Sequence, residues 1–396
     1  MIRHHRTGLL LWAMIAIFAA LPATARAADE PPVVKALLDG AALNAAARPT
    51  YQSLEVAADG TITLNGLSLA YKGGDDPEAA MEYQVETVTL SDVKEESGGL
   101  FEIGEAEWSG LTMKVGGNPL ASIPLITGRS VYVFQPSSPP TTLEKMRSSN
   151  LLGKEITMPA GTVQINGNTL TLEEVRWSWD GDPLTGAGTS EFEVGRILLP
   201  AALMKDEEGG NPLAAAGYGD LEFAVEGKGT TTLTEEAWGF DFEMRFKGND
   251  IGTLVVDLAA ENFPMALFSA LDASDPQVDT LMPLVQAITL KRAKFRFEDG
   301  SLTGRIIAMM AESQGMDAQS FIANTTEGLK ASLAEFKDQK LAGQAISALS
   351  AFLADPKAIT VSINPPRPVR VDQLMAAGED PTAIIDKLSV SVSAND

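Results

Sequence analysis

Two stretches in the first third of the chain repeat one pattern. Tyr83–Val93 (YQVETVTLSDV) and Phe101–Leu111 (FEIGEAEWSGL) both read aromatic-polar-aliphatic, two filler residues, then apolar-polar-apolar, and KEESGG joins them as a turn. A partial third copy, FEVGRILL, starts at Phe192. Alternation with a period of two, bounded by Gly-rich turns, marks half-buried antiparallel strands. A chain built on this unit is constrained to a long β-meander, which is an architecture and not an activity.

Met1–Ala27 reads as a secretory signal. Arg3, His4, His5 and Arg6 form a charged start, Leu9–Leu21 is an unbroken apolar run, and Ala25-Arg26-Ala27 is a small-x-small cleavage site. The apolar run is shorter than the roughly 17–25 residues of a spanning helix, so no transmembrane segment is expected after cleavage and the protein is expected in the periplasm. An uncleaved anchor is the competing reading. The chain has 2 His and 0 Cys, and both histidines leave with the signal. What remains cannot build a Ser-His-Asp triad, a Cys nucleophile, a His/Cys metal site or a lipoprotein anchor. Of 30 basic and 53 acidic residues, the signal removes Arg3, Arg6 and Arg26, which leaves a net charge near −26. Double-stranded nucleic acid is a poor partner for such a chain, because phosphate binding needs clustered Lys and Arg.

The spacing predicts a short helix over Pro31–Arg48 and a hairpin from Leu54 to Tyr71 around Asp59-Gly60, with a bulge or second turn at Asn65-Gly66. The Asp75-Asp76-Pro77 loop and the paired repeats follow. Residues 28–204 form an N-terminal β-meander unit, 205–217 a charged, Gly-rich linker, and 218–396 a C-terminal α+β unit whose strands either continue the same sheet or begin another. In that unit Asp220–Gly227, Thr230–Thr234, Trp238–Lys247 and Ile251–Ala260 read as four strands. Phe240, Phe242, Met244 and Phe246 alternate with Asp241, Glu243, Arg245 and Lys247, so one face is core and one is wet. Ala293–Glu298 and Ser301–Ile307 are expected as a hairpin around Asp299-Gly300. Two helices fill Asp317–Ala354, and Asp355-Pro356 ends the second.

Few groups are placed to carry chemistry. Carboxylate pairs hydrolyse glycosides without His or Cys, and Glu102, Glu105, Glu107 and Glu173-Glu174 are the candidates; a solvated strand face explains them more simply. Asp180-Gly181-Asp182 and Asp272, Asp275 and Asp279 gather hard oxygen ligands but lack calcium-loop spacing, and turn chemistry accounts for them. Trp177 and Trp179 share a face with Val175 and either line an apolar groove or fill core. Arg292, Lys294 and Arg296 alternate with Ala293, Phe295 and Phe297. With Arg245, Lys247 and Arg305 on neighbouring predicted strands they make a basic patch beside an apolar face, a combination suited to an anionic amphiphile. The plainer reading is an outward face balanced by nearby acids.

The block FLADPKAITVSINPPRPVRVDQLM with the closing LSVSVSAN resembles the end of an uncharacterised family of exported bacterial proteins, and the repeated strand motif is similar to those of AsmA-like envelope proteins. The resemblance covers the last third and the repeats. It implies a long curved sheet that holds lipid in a groove, and it carries no catalytic or binding residues with it. The expectation is therefore an α+β fold: an extended, twisted and curved antiparallel β-meander with C-terminal helices packed on one face. The expected role is a non-enzymatic exported envelope protein that binds a lipid or other amphiphile without a cofactor, through Arg245, Lys247, Arg292, Lys294, Arg296, Trp177 and Trp179. The alternative is a periplasmic scaffold that binds an envelope protein partner and no small ligand.

Overall fold

The structure, a computed structural model, describes residues 30–71 except 44 and 46, 80–148, 152–204, 211–234, 236–271, and 277–396 except 379. The expected signal, the Asp75-Asp76-Pro77 loop, residues 205–210 of the expected linker, Asp272 and Asp275 lie outside the described residues. Helix α1 (Pro32–Ala42) leads into β1 (Ser53–Val56), β2 (Ile62–Tyr71), β3 (Met81–Glu95), β4 (Leu100–Val115) and β5 (Asn118–Phe134). After α2 (Thr142–Ser148) come β6 (Gly153–Ile165), β7 (Asn168–Asp182) and β8 (Ala187–Leu199), then α3 (Pro212–Ala215), β9 (Leu221–Leu233), β10 (Ala237–Gly248) and β11 (Gly252–Pro264). The chain continues through α4 (Met265–Leu271), α5 (Val278–Ala287), β12 (Thr289–Asp299), α6 (Leu302–Ser313), α7 (Ala318–Leu333) and α8 (Gln339–Ala354). It ends with β13 (Ala358–Ile363), β14 (Val369–Arg370), α9 (Val371–Met375), α10 (Pro381–Leu388) and β15 (Val390–Ala394). Strands hydrogen-bond in chain order from β1 to β13 and then β15, with β14 paired to β12. This is the α+β antiparallel meander that the alternation predicts. Contacts group the residues into two units, Met1–Val194 with Thr232–Glu235 and Gly195–Thr231 with Glu236–Asp396.

In the first unit the strands do not alternate strictly. Buried residues on β3 run Tyr83, Val85, then Val88, Leu90; on β4 they run Ile103, then Ala106, Trp108, then Leu111, Met113; on β5 they run Ala121, Ile123, then Ile126, Gly128, then Val131. Each step of three falls on a line where the strand itself or the strand beside it leaves the extended region: φ is +63° at Gly66 and +65° at Gly110 on one line, and +53° at Asp92 and +45° at Ser130 on another. Register places these sites side by side. Asp92 lies between the pairs Ser91↔Glu105 and Val93↔Ile103, so it faces Gly104, and Gly104 faces Ser130 by the same reading of β4 and β5. Glu86 stands in the same way between Gly66 and Gly110. The kinks line up across strands, so no register is lost while two consecutive residues turn outward together. Asn65-Gly66, expected as a bulge or turn, is one of these in-register kinks. The first filler residue of each repeat, Glu86 or Gly104, faces a kinked residue on both neighbouring strands. On the inward side Leu64, Val88, Leu90 and Ile103 are fully buried, and α1 lies against β5.

In the second unit two expectations change. The strands expected over Asp220–Gly227 and Thr230–Thr234 are one strand, β9. Its Gly229 does not break the strand but lets β10 come close, since a Cβ there would stand 3.0 Å from Phe242 Cβ. The strand expected over Ser301–Ile307 is the first half of α6. Asp299 Oδ1 accepts from the Thr303 N–H at 2.8 Å, so the Asp-Gly pair opens a helix where a hairpin turn was expected. Arg305 consequently sits on a helix and not on a strand. It packs 4.3 Å from the centroid of the Tyr218 ring and donates to the Gly217 carbonyl at 3.1 Å.

Candidate functional site

The five cations singled out by the sequence lie in the second unit, on β10 and β12, and side-by-side pairing puts them on one face with Asp241, Glu243 and Asp257. Three of them are held by acids. Arg292 donates to Asp257 at 2.8 Å and, through both terminal nitrogens, to Asp241 at 2.9 and 2.5 Å. Arg296 holds Glu298 at 2.8 Å and Asp396 at 2.9 Å, with Thr360 at 3.1 Å. Arg245 sits 3.1 Å from Glu226. Lys247 and Lys294 are exposed and make no ion pair among the described residues. Val255, directly opposite both Arg245 and Arg296, is buried at 5 % exposure. The patch is a balanced polar face.

The apolar residues of the same strands point the other way. Register builds three rows of five across β10, β11, β12, β13 and β15: Phe242–Leu258–Ala293–Ile363–Val390, Met244–Val256–Phe295–Val361–Val392, and Phe246–Leu254–Phe297–Ile359–Ala394. Only Ala293 of these is buried. Leu254 is 39 % exposed, Phe295 46 % and Val361 40 %. A face this apolar and this open is not a finished core. Two aromatic brackets limit it. Phe352 of α8 meets the Phe297 ring edge-on at 6.4 Å. On the other side Phe242 touches Phe240 at 5.2 Å, Phe240 touches Trp238 at 5.0 Å, and Trp238 touches Phe268 of α4 at 5.8 Å. The middle row, with Phe295 and Val361, is left between them.

Sequence reasoning identified the cations and the alternation, but it set headgroup and tail contacts side by side. On one strand, alternate residues lie on opposite faces, so the patch and the apolar face have the sheet between them. The signal for the open face was present in Leu254, Val361 and Val392, which fall opposite Phe297, Phe295 and Val361 once the pairing is known.

Trp177 and Trp179 belong to the first unit. Trp179 is buried and meets Tyr132 edge-on at 6.2 Å. Cβ atoms built on Gly181 or Gly188 would each stand 2.6 Å from its indole. Trp177 pairs opposite Ile156 and is half-buried, with its Nε1 unpartnered among the described residues. Of the two, Trp179 fills core. Glu102 and Glu105 of β4, without Glu107, lie along an open hollow of about 820 Å³ whose walls mix them and Asp59 and Asp92 with Lys94 and Arg129. Asp182 serves a turn, accepting from the Leu184 N–H and the Thr185 hydroxyl at 2.9 Å each. Among the described residues no three acidic side chains gather as a metal site, and no helix is long and apolar enough to cross a membrane.

Compared with known proteins, the chain matches the profile of a family described as "Uncharacterized protein" over residues 245–395. That stretch begins on β10 and contains every other strand of the apolar face. No curated protein matches the chain.

Proposed function

We propose that this chain is a non-enzymatic exported protein of the bacterial envelope whose second unit holds a lipid-like amphiphile on the apolar face of β10–β13 and β15. The observation that carries the reading is the exposure of Leu254, Phe295 and Val361 within fifteen uninterrupted apolar positions. Size argues for a small occupant. Four strand spacings of about 4.8 Å and two steps of about 6.7 Å give a platform of roughly 19 by 13 Å. That is near 250 Å², against about 800 Å² per partner in a standard protein interface. The signal-like N-terminus and the AsmA-like strand repeat support export and lipid handling. A fluorescent long-chain fatty acid titrated onto the purified protein should give saturable emission. A flat titration, with a protein chain co-purifying instead, would favour a scaffold that binds a partner through its surface.

A further inference from the structure

We infer that recognition at this face reads the length of one aliphatic chain and disregards the charge of the headgroup; the inference rests on the amphiphile reading above. Four observations carry it. All fifteen side chains of the face are uncharged and apolar, so it offers neither an ion pair nor a side-chain hydrogen bond. The cations of the same strands point to the opposite face, and Arg245, Arg292 and Arg296 are already matched by Glu226, Asp241, Asp257, Glu298 and Asp396. The outer rows are engaged by aromatic contacts at Phe297 and Phe242, while the middle row exposes Phe295 and Val361. Finally, successive same-face positions along a strand are about 6.7 Å apart, which admits one chain and not two.

The middle row crosses five strands, from Met244 through Val256, Phe295 and Val361 to Val392. A chain lying along it runs perpendicular to the strands for roughly 19 Å. Standard carbon geometry gives about 1.25 Å of rise per methylene, so ~15 methylenes fill the row. Each methylene laid on the row up to that length should raise affinity by up to about fourfold. Those beyond it pass Met244 toward β9, off the fifteen apolar positions, and add little. Val392 lies on β15, against which α8 packs, so the headgroup end of the chain lies toward β10.

The test uses the full chain and a set of chain-matched ligands: a fatty acid, the corresponding alcohol and a monoacylglycerol, each with ~16 carbons, at low and high salt. The inference expects the three affinities to agree within about threefold and to change less than about twofold with salt, since no exposed charge is engaged. Shortening the fatty acid should weaken binding stepwise, and lengthening it past ~16 carbons should leave affinity level. Lys294→Glu with Lys247→Glu should leave the acid-to-alcohol ratio unchanged. A tenfold preference for the acid, lost with salt or with those two substitutions, would overturn headgroup indifference while leaving the amphiphile reading standing. Absence of binding by all three ligands would overturn both.

Discussion

Arg292 on β12 reaches over β11 to grip both carboxylate oxygens of Asp241 on β10, at 2.9 and 2.5 Å. One guanidinium therefore ties three neighbouring strands, since its Nε also holds Asp257 on β11. The fork fits a carboxylate bidentately, a geometry that lysine cannot reproduce. The hydrogen bonds from Arg292 hold the Asp241 carboxyl below its ordinary value and raise Arg292 above its own. A carboxylate whose folded pKa is depressed contributes stability at pH above its unfolded value, near 4, and loses it as pH falls through the folded value. Thermal melts of the wild type should lose stability below about pH 4. Asp241→Asn should melt lower at pH 7 and show a shallower acid slope; parallel slopes for the two proteins would contradict the assignment.

Burial acts in the opposite sense on Tyr51. Desolvation first, then its hydrogen bond to Glu30 at 3.0 Å, pushes the phenol up to about 12. Burial alone takes Tyr83 to about 12. A raised phenol stabilises the fold below the unfolded value, about 10, and that contribution fades as pH climbs through the folded one. Phenolate absorbance followed against pH should show these tyrosines ionising late, together with unfolding. Normal titration of every tyrosine at about pH 10, in a chain that stays folded, would be the contrary result.

The aligned kinks make a sharper structural prediction. Gly104 is not in the left-handed region, yet a Cβ there would stand 2.6 Å from Asp92 Cβ on the adjacent strand. Gly104→Ala should destabilise the first unit by about 1–3 kcal/mol through overpacking. Denaturant unfolding of Gly104→Ala, and of Gly104→Ala with Asp92→Gly, measures it. The second change should restore most of the loss, because it removes the atom that is struck.

Trp179 offers a test of core against ligand surface. Trp179→Ala should cost about 3–5 kcal/mol, as large aromatic truncations in packed cores do. Binding of a fatty-acid probe at a temperature where the variant is folded should be unchanged. Weakened binding with intact stability would return Trp179 to a ligand groove.

Much of the fold was legible because alternation is written residue by residue. The 2-then-3 spacing was also in plain view: Val85 to Val88 and Trp108 to Leu111 are each three apart. It did not by itself announce a kink, because a positive φ at Asp92 or Ser130 leaves no mark in residue type as a glycine does. Asp299-Gly300 misled for a related reason. The same two residues start a hairpin or cap a helix, and the choice lies with Leu302, Ile306 and Met309, which follow a helical period. The site was half legible. Arg292, Lys294 and Arg296 share a face as alternation requires, but their acids come from strands 35 and 51 residues upstream in the case of Arg292. Cancellation of a patch by register cannot be read from the patch itself. The three apolar rows are hidden likewise, since each strand contributes only one residue to each row.

The most direct test of the apolar face is native mass spectrometry of the protein isolated from its native cells, wild type beside Phe295→Ser with Val361→Ser. Both side chains are more than a third exposed, so the double variant should fold and melt close to wild type. The account predicts an adduct on the wild type that extracts as lipid, and its loss from the double variant. A clean unliganded mass for the wild type, or an adduct that persists undiminished when both side chains are changed, would contradict it.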